Sequence, residues 1–411
     1  MPPRVPAAAG TLALALSALL ILGPGAPTGQ GPAPTPPVTA VVSPSPGSEF
    51  TPAPTTQPVL VIGVDATPPP CTNASVLTSW SVARLAEQTI VIPVDETDVL
   101  SVRAQVAAGA GGVILFGSSA PANLGAILQA LNASAPDGIS PFIMTDEEGG
   151  AVQRMSNLVG FVPSPRQMGA TMTPAQIQQL ALGLGQRMRA NGITMDLAPV
   201  LDVDGGVGPN NVNADGTRSF SANAAIASSD GVAFAQGLTA GGVMPVVKHF
   251  PGLGGTVGNT DVTAASTPSW AALQGNGLLP FQAAVAAHLP AVMIANATVP
   301  GLSTLPASIS PAVITGVLRQ QMGFKGLVIT DSLSAVSLSS IGYSVPRATV
   351  AALEAGADMI LFNADPGSVP ALTDAIVTGI VATVSSGALS RPVLEAAVGR
   401  ILAAKSVNLC A

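Results

Sequence analysis

Eight short apolar runs, separated by stretches of helical character, constrain this chain more than any other feature. They are "TIVIPV" (89–94), "GGVILFG" (111–117), "PFIMTDEEGG" (141–150), "GITMDLAP" (192–199), "VMPVVKHF" (243–250), "AVMIANA" (291–297), "GLVITD" (326–331) and "ADMILFN" (357–363). Runs apolar throughout fit parallel strands buried on both faces better than strands with one wet face. Between them lie amphipathic patterns such as "PAQIQQLALGLGQRMRANG" and "SPAVITGVLRQQMGF". Eight strands alternating with helices predict an α/β fold, a single (β/α)8 TIM-type barrel. The alternative is an open, doubly wound sheet. The strand number and the lack of a G-x-G-x-x-G turn after the first strand count against it. Residues 364–411 end in the helical pattern "RPVLEAAVGRILAAKSVNLC" and are too few for a second sizeable core.

Composition narrows the partners. Of 411 residues, 48% are hydrophobic and only 9% charged, with a net charge of −7. That balance excludes a nucleic-acid partner, and no polybasic membrane patch is present. Each charged residue at a strand end therefore carries more information than it would in an ordinary chain.

The N-terminus reads as a bacterial export signal over residues 1–23. Arg4 supplies the positive charge, and "TLALALSALLIL" (11–22) is an apolar core too short to span a bilayer. Small residues follow, as a cleavage site needs, and no membrane span is expected after cleavage; an uncleaved anchor is the alternative. Residues 24–70 are a Pro/Thr/Ser-rich linker, with "QPVLVIGVDATPPPC" (57–71) open to an edge strand or more linker. The folded domain is placed at 71–411. Its two cysteines, Cys71 and Cys410, bracket it. In an exported protein they are expected to form one disulfide, with two buried free thiols as the alternative.

In a (β/α)8 barrel the active site forms at the carboxyl ends of the strands. The third run reaches Asp146, with Glu147 and Glu148 behind it. The fifth reaches Lys248 and His249, the sixth Asn296 and the seventh Asp331. Carboxylates facing Lys, Arg and His suit glycoside hydrolysis, in which one carboxylate attacks and a second group acts as acid/base. They also suit metal-assisted chemistry. The chain has only 2 His, and His288 lies before a strand, where a core or surface role is expected. No His/Cys cluster has metal-ligand spacing, so neither metal nor cofactor is expected; a carboxylate-only Mg²⁺ site is the alternative.

Several segments together resemble glycoside hydrolase family 3, and more closely its single-domain β-N-acetylhexosaminidases. They are "TDEEGGAVQR" (145–154), "ANGITMDLAPVLDV" (190–203), "GTRSF" (216–220), "VVKHFPGLGGT" (246–256), "LLPF" (278–281), "PASIS" (306–310), "MGFKGLVITDSL" (322–333) and "EAGADMILF" (354–362). The resemblance spans roughly residues 80–405, with the motifs in family order. It implies a retaining, two-step hydrolysis. Asp331 matches the nucleophile, and Asp146, Arg218, Lys248 and His249 match residues that grip sugar hydroxyls. The family's hexosaminidases usually read K-H-F-P-G-H-G followed by Asp-Ser-His, whose His is the acid/base. Here Leu253 takes the place of the first loop His, and Asn259-Thr260-Asp261 that of Asp-Ser-His. Asp261 is then the candidate acid/base. Burial and a negative neighbour can raise a carboxyl pKa enough for it to donate a proton. The other readings of Asp261 are a different substrate-side role or a turn cap.

The function expected is an exported retaining glycoside hydrolase, secreted or associated with the cell wall, acting on β-linked amino sugars. The alternatives are a β-glucosidase or a catalytically degenerate, wall-associated sugar-binding protein. The partner is a carbohydrate in each case.

Overall fold

The computed structural model describes residues 71–411; the expected signal at 1–23 and linker at 24–70 lie outside the described residues. All eight apolar runs become strands of one parallel sheet: β1 (Ile90–Asp95), β2 (Gly112–Phe116), β3 (Phe142–Thr145), β4 (Met195–Asp196), β5 (Met244–Phe250), β6 (Ala291–Ile294), β7 (Leu327–Thr330) and β8 (Ile360–Leu361). Each strand pairs with its sequence neighbours, and β1 also pairs with β8. The ring closes between β7 and β8 through a bridge from Ile329 to Met359. The Leu333 N–H also donates to the Leu361 carbonyl at 2.9 Å. This is the (β/α)8 barrel expected from the sequence.

The period-2 alternation of strand side chains divides each run between two cores. Val91, Ile114, Met144, Met195, Val246, Met293 and Ile329 point inward and fill the barrel. Ile90, Ile92, Val113, Leu115 and Ile143 point outward and pack under the helices. Both sets are buried, so no residue in these runs is selected to be polar until the strand ends.

Local signals set the helix boundaries. The helix Pro174–Ala190 starts with a reciprocal box between Thr173 and Gln176 and has Pro at its first position. The helix Val345–Ala355 stops at Gly356, whose φ of 107° is left-handed, and the chain turns directly into β8. Two departures from the sequence reading matter for the site. The third run is strand only to Thr145; Glu147–Gly149 folds back in a hairpin with Val152–Gln153. The closing helix ends at Ala404, and Cys410 lies on the turn after it.

Cys71 and Cys410 form a disulfide with Cα atoms 5.9 Å apart across 339 positions of sequence. The first helix, Asn73–Leu77, is held against the same terminal segment. Asn73 donates to the Val407 carbonyl at 2.7 Å and accepts from the Leu409 N–H at 2.7 Å.

Candidate active site

The six site residues singled out in the sequence come together. Asp146, Arg218, Lys248, His249, Asp261 and Asp331 all line one cavity of about 220 Å³ at the carboxyl ends of the strands. Asn296, also at a strand end, does not line it. It is buried, and its amide donates to the Ser332 carbonyl at 2.7 Å, bracing the turn after β7. His288 is exposed ahead of β6, at the opposite end of the barrel.

Asp331 is the first residue past β7. Its N–H still donates to the Ile294 carbonyl at 2.9 Å, so the backbone is fixed by the sheet. Its carboxylate accepts from the Ser332 N–H at 2.7 Å. Burial pushes the Asp331 carboxyl up; His249 pulls it down, and the negative charge of Asp261 pushes it up again.

One wall is a chain of alternating charges. Lys248 Nζ lies 2.7 Å from Asp146 Oδ1 and 2.6 Å from Glu148 Oε1. Glu148 receives Arg218 in a two-pronged contact at 2.7 and 2.8 Å. Arg154 reaches the other oxygen of Asp146 at 3.5 Å and lies over the Phe116 ring, 5.5 Å from its centre. Burial alone would neutralise Glu148, yet Arg218 and Lys248 outweigh it and hold its carboxyl far below the usual range. Arg218 and Lys248 are pushed up in return by these carboxylates, against burial. The cations keep N–H groups in fixed directions for hydroxyl oxygens, and Asp146 offers an acceptor beside them.

His249 is set from behind. Its Nδ1 lies 2.6 Å from Asp202, whose carboxylate also accepts the backbone N–H groups of His249 and, at 2.6 Å, Leu253. Burial pushes the His249 ring down to about 4, helped by the charge of Arg218. The ring is thus neutral at pH 7, with one nitrogen committed to Asp202. Burial lifts Asp202 to about 7 and pushes Asp215 well above the usual carboxylate range, Asp202's charge adding to the effect on Asp215. The ligand atoms of Asp202, Asp215 and His249 lie within 4.8 Å of one another, the arrangement of a metal centre. Asp202 has already spent both oxygens on protein N–H groups, which leaves a poor donor set for a cation.

Asp261 comes from the loop after β5. Gly252 has a φ of 128°, and a side chain at Gly254 would collide with the Val203 carbonyl, so the loop turns tightly against its neighbour. Leu253 lines the cavity and packs in an apolar cluster with Ala265, Ala295 and Ala297. Asn259 accepts the Asp261 N–H at 3.0 Å and donates to the Asn210 carbonyl at 3.0 Å. The Ser337 N–H donates to the Thr260 carbonyl at 3.0 Å. These bonds anchor Asn259 and Thr260 and leave the Asp261 side chain exposed at the rim, so the burial expected of it from the sequence is not found, because the loop holds it by its neighbours and not by packing.

Residues 99–404 match the glycosyl hydrolase family 3 N terminal domain. The chain belongs to this family. It is 34% identical over 306 residues to the beta-hexosaminidase LpqI of Mycobacterium tuberculosis, covering 72% of this chain and 76% of that one. It is 36% identical over 309 residues to a secreted glycosyl hydrolase of Arthroderma benhamiae, covering 72% and 84%. Among solved structures it is similar to the beta-N-acetylhexosaminidase of Beutenbergia cavernae, with 30% identity and a TM-score of 0.71, over 80% of this chain and 99% of that one. As a member of family 3 it is a glycoside hydrolase.

Sequence reasoning missed three residues of the site: Glu148 and Arg154, which line the cavity, and Asp202, which is buried behind His249. Glu148 was visible beside Asp146, but which carboxylate faces the cavity depends on the hairpin that follows β3. Glu147 faces away, accepting the N–H groups of Arg154 and Met155 at 2.7 Å each. Asp202 follows the short strand β4 by an irregular segment, so no strand-end signal marks it; a carboxylate inside the apolar "LAPVLDV" was the available clue.

Proposed function

We propose that this chain hydrolyses β-linked amino-sugar glycosides with retention of configuration, using Asp331 as nucleophile and Asp261 as acid/base. Asp331 attacks the anomeric carbon while Asp261 gives its proton to the departing oxygen. Asp261 then takes a proton from water, whose oxygen displaces Asp331 from the sugar. Asp146, Arg218, Lys248 and His249 bind the hydroxyls of that sugar. The observation that carries this reading is that Asp331 and Asp261 line the same small cavity at the carboxyl ends of the strands. Of the chain's 2 His, His249 is engaged by Asp202 and His288 is remote, so a carboxyl group is the acid/base within reach.

The amino-sugar specificity is supported by the beta-hexosaminidases among the relatives. Export, to the medium or the cell wall, is supported by the N-terminal apolar segment, the disulfide and the secreted relative. Incubation with a 2-deoxy-2-fluoro glycosyl fluoride tests the mechanism. The expected result is one added glycosyl mass on the peptide carrying Asp331, absent in Asp331→Asn. No adduct together with unimpaired sugar binding would favour the degenerate, sugar-binding reading, which the loop substitution at Leu253 also suggests.

A further inference from the structure

A cavity of about 570 Å³ opens at the amino-terminal mouth of the barrel, at the other end from the catalytic residues. Phe142 and Met244, the first residues of β3 and β5, line it, with Thr194 and Pro290 just ahead of β4 and β6. Its remaining side is the segment that follows the closing helix, from Lys405 to Val407. Two cations line this cavity, Lys405 and Arg189, and no carboxylate does. That runs against the chain's net charge of −7.

Among the described residues neither cation has an ion pair. Lys405 is half-buried, and its Nζ stands 5.3 Å from the centre of the Phe142 ring. Its acceptor is a neutral oxygen, Gln88 Oε1, at 3.4 Å, which is long for a hydrogen bond. The charged group that acts on it is another cation, Arg84, which is paired with Asp137 at 3.0 Å. Arg400, on the closing helix itself, is taken by Asp358 at 2.7 Å. Arg189 lies in the last turn of the helix Pro174–Ala190, with its stem positioned over Gly242. An ammonium drawn partly out of water without an anion beside it is a cost to the fold, and an anion in this cavity would remove that cost.

We propose that this cavity binds a small organic anion, its negative head held by Lys405 and Arg189 and its apolar body laid against Phe142, Met244 and Pro290. The head takes charge-assisted hydrogen bonds from two cations that have no other use. The volume suits an organic molecule, and a bare inorganic ion would fill little of it. Such a ligand would tie the segment after the closing helix to the end of the helix Pro174–Ala190, and so would stabilise the folded chain by mass action.

The test is titration calorimetry of the full chain with 2-naphthoate, with the neutral 2-naphthamide as control. Naphthoate is expected to bind at least about tenfold more tightly than naphthamide. Lys405→Met and Arg189→Gln should each weaken naphthoate by about tenfold and leave naphthamide unchanged. Arg189 is exposed, so its variant tests the site even if Lys405→Met fails to fold. Burial holds the free Lys405 amine down to about 7, and the anion favours its charged form. Affinity should therefore fall as the pH is raised from about 7 to about 9 in the wild type and stay level in Lys405→Arg, which keeps its charge. Bound naphthoate should also raise the unfolding temperature of the wild type and not of Lys405→Met. Equal affinity for naphthamide, inorganic phosphate binding as tightly as naphthoate, or full naphthoate affinity in both variants overturns the proposal.

Discussion

The Lys248 ammonium sits 2.6 Å from the Glu148 carboxylate, at a point where Glu148 has no contact with solvent. The same carboxylate clasps Arg218, so one buried acid fixes the direction of two cations. Removing one partner of such a cluster leaves charge stranded away from water. Glu148→Gln is therefore expected to lower stability by about 3 kcal/mol and to raise KM more than it lowers kcat. Thermal unfolding and steady-state kinetics on one preparation check both parts. Unchanged KM would mean that Glu148 serves the fold alone.

Asp261 is expected to matter in proportion to how badly the leaving group needs a proton. Asp261→Ala should cost about 10²–10⁴-fold on poor leaving groups and far less on activated ones. Azide, which needs no general base, should restore turnover and give a glycosyl azide. Equal losses on every substrate with no azide product would reduce Asp261 to a turn residue.

Asp331→Asn should abolish hydrolysis while leaving the unfolding temperature close to wild type. The backbone bonds from Asp331 to Ile294 and from Leu333 to Leu361 do not involve the side chain. Wild-type rates in this variant would remove Asp331 from the mechanism.

Lys405 gives a prediction about pH. It follows the last helix, faces the Phe142 ring 5.3 Å away, and has Gln88 at 3.4 Å as an acceptor. Burial pushes its amine down to about 7, and Arg84 adds to the effect. Between about pH 7 and the ordinary lysine value of 10.5, the unfolded chain holds a proton that the folded one does not. Stability should therefore rise with pH through that window. Lys405→Met should flatten the rise and add about 1–3 kcal/mol at neutral pH. Denaturant titrations at pH 7 and 9.5 measure it.

Reduction of the Cys71–Cys410 bond frees the two ends of a loop of 339 positions. The expected loss is about 4 kcal/mol, read as a fall in the urea midpoint with dithiothreitol present. No fall would show that the helix Asn73–Leu77 docks without covalent help.

The barrel was legible because buried parallel strands announce themselves twice, as apolar runs and as polar residues where the runs stop. Lys248 and His249 were found that way, and Asp146 and Asp331 one residue beyond their strands. Asp202 was hidden because its value comes from a partner 47 positions away, His249, brought near by the β4–β5 pairing. Glu148 was hidden for a local reason: the hairpin after β3 turns Glu148 inward beside Asp146 and Glu147 away, and no residue pattern in "DEEGG" settles it.

With its disulfide formed, the protein from residue 71 to residue 410 is a covalent circle, because the bond joins positions close to both ends of the fold. A single cut turns a circle into a line without releasing a piece. The stretch 205–212, with Val207 at 88% and Val212 at 74% exposure, is where a protease would make that cut. The nicked molecule should run as one band without reductant and as two with it. Its order of strands around the ring would be unchanged, although two new ends would lie beside the catalytic mouth.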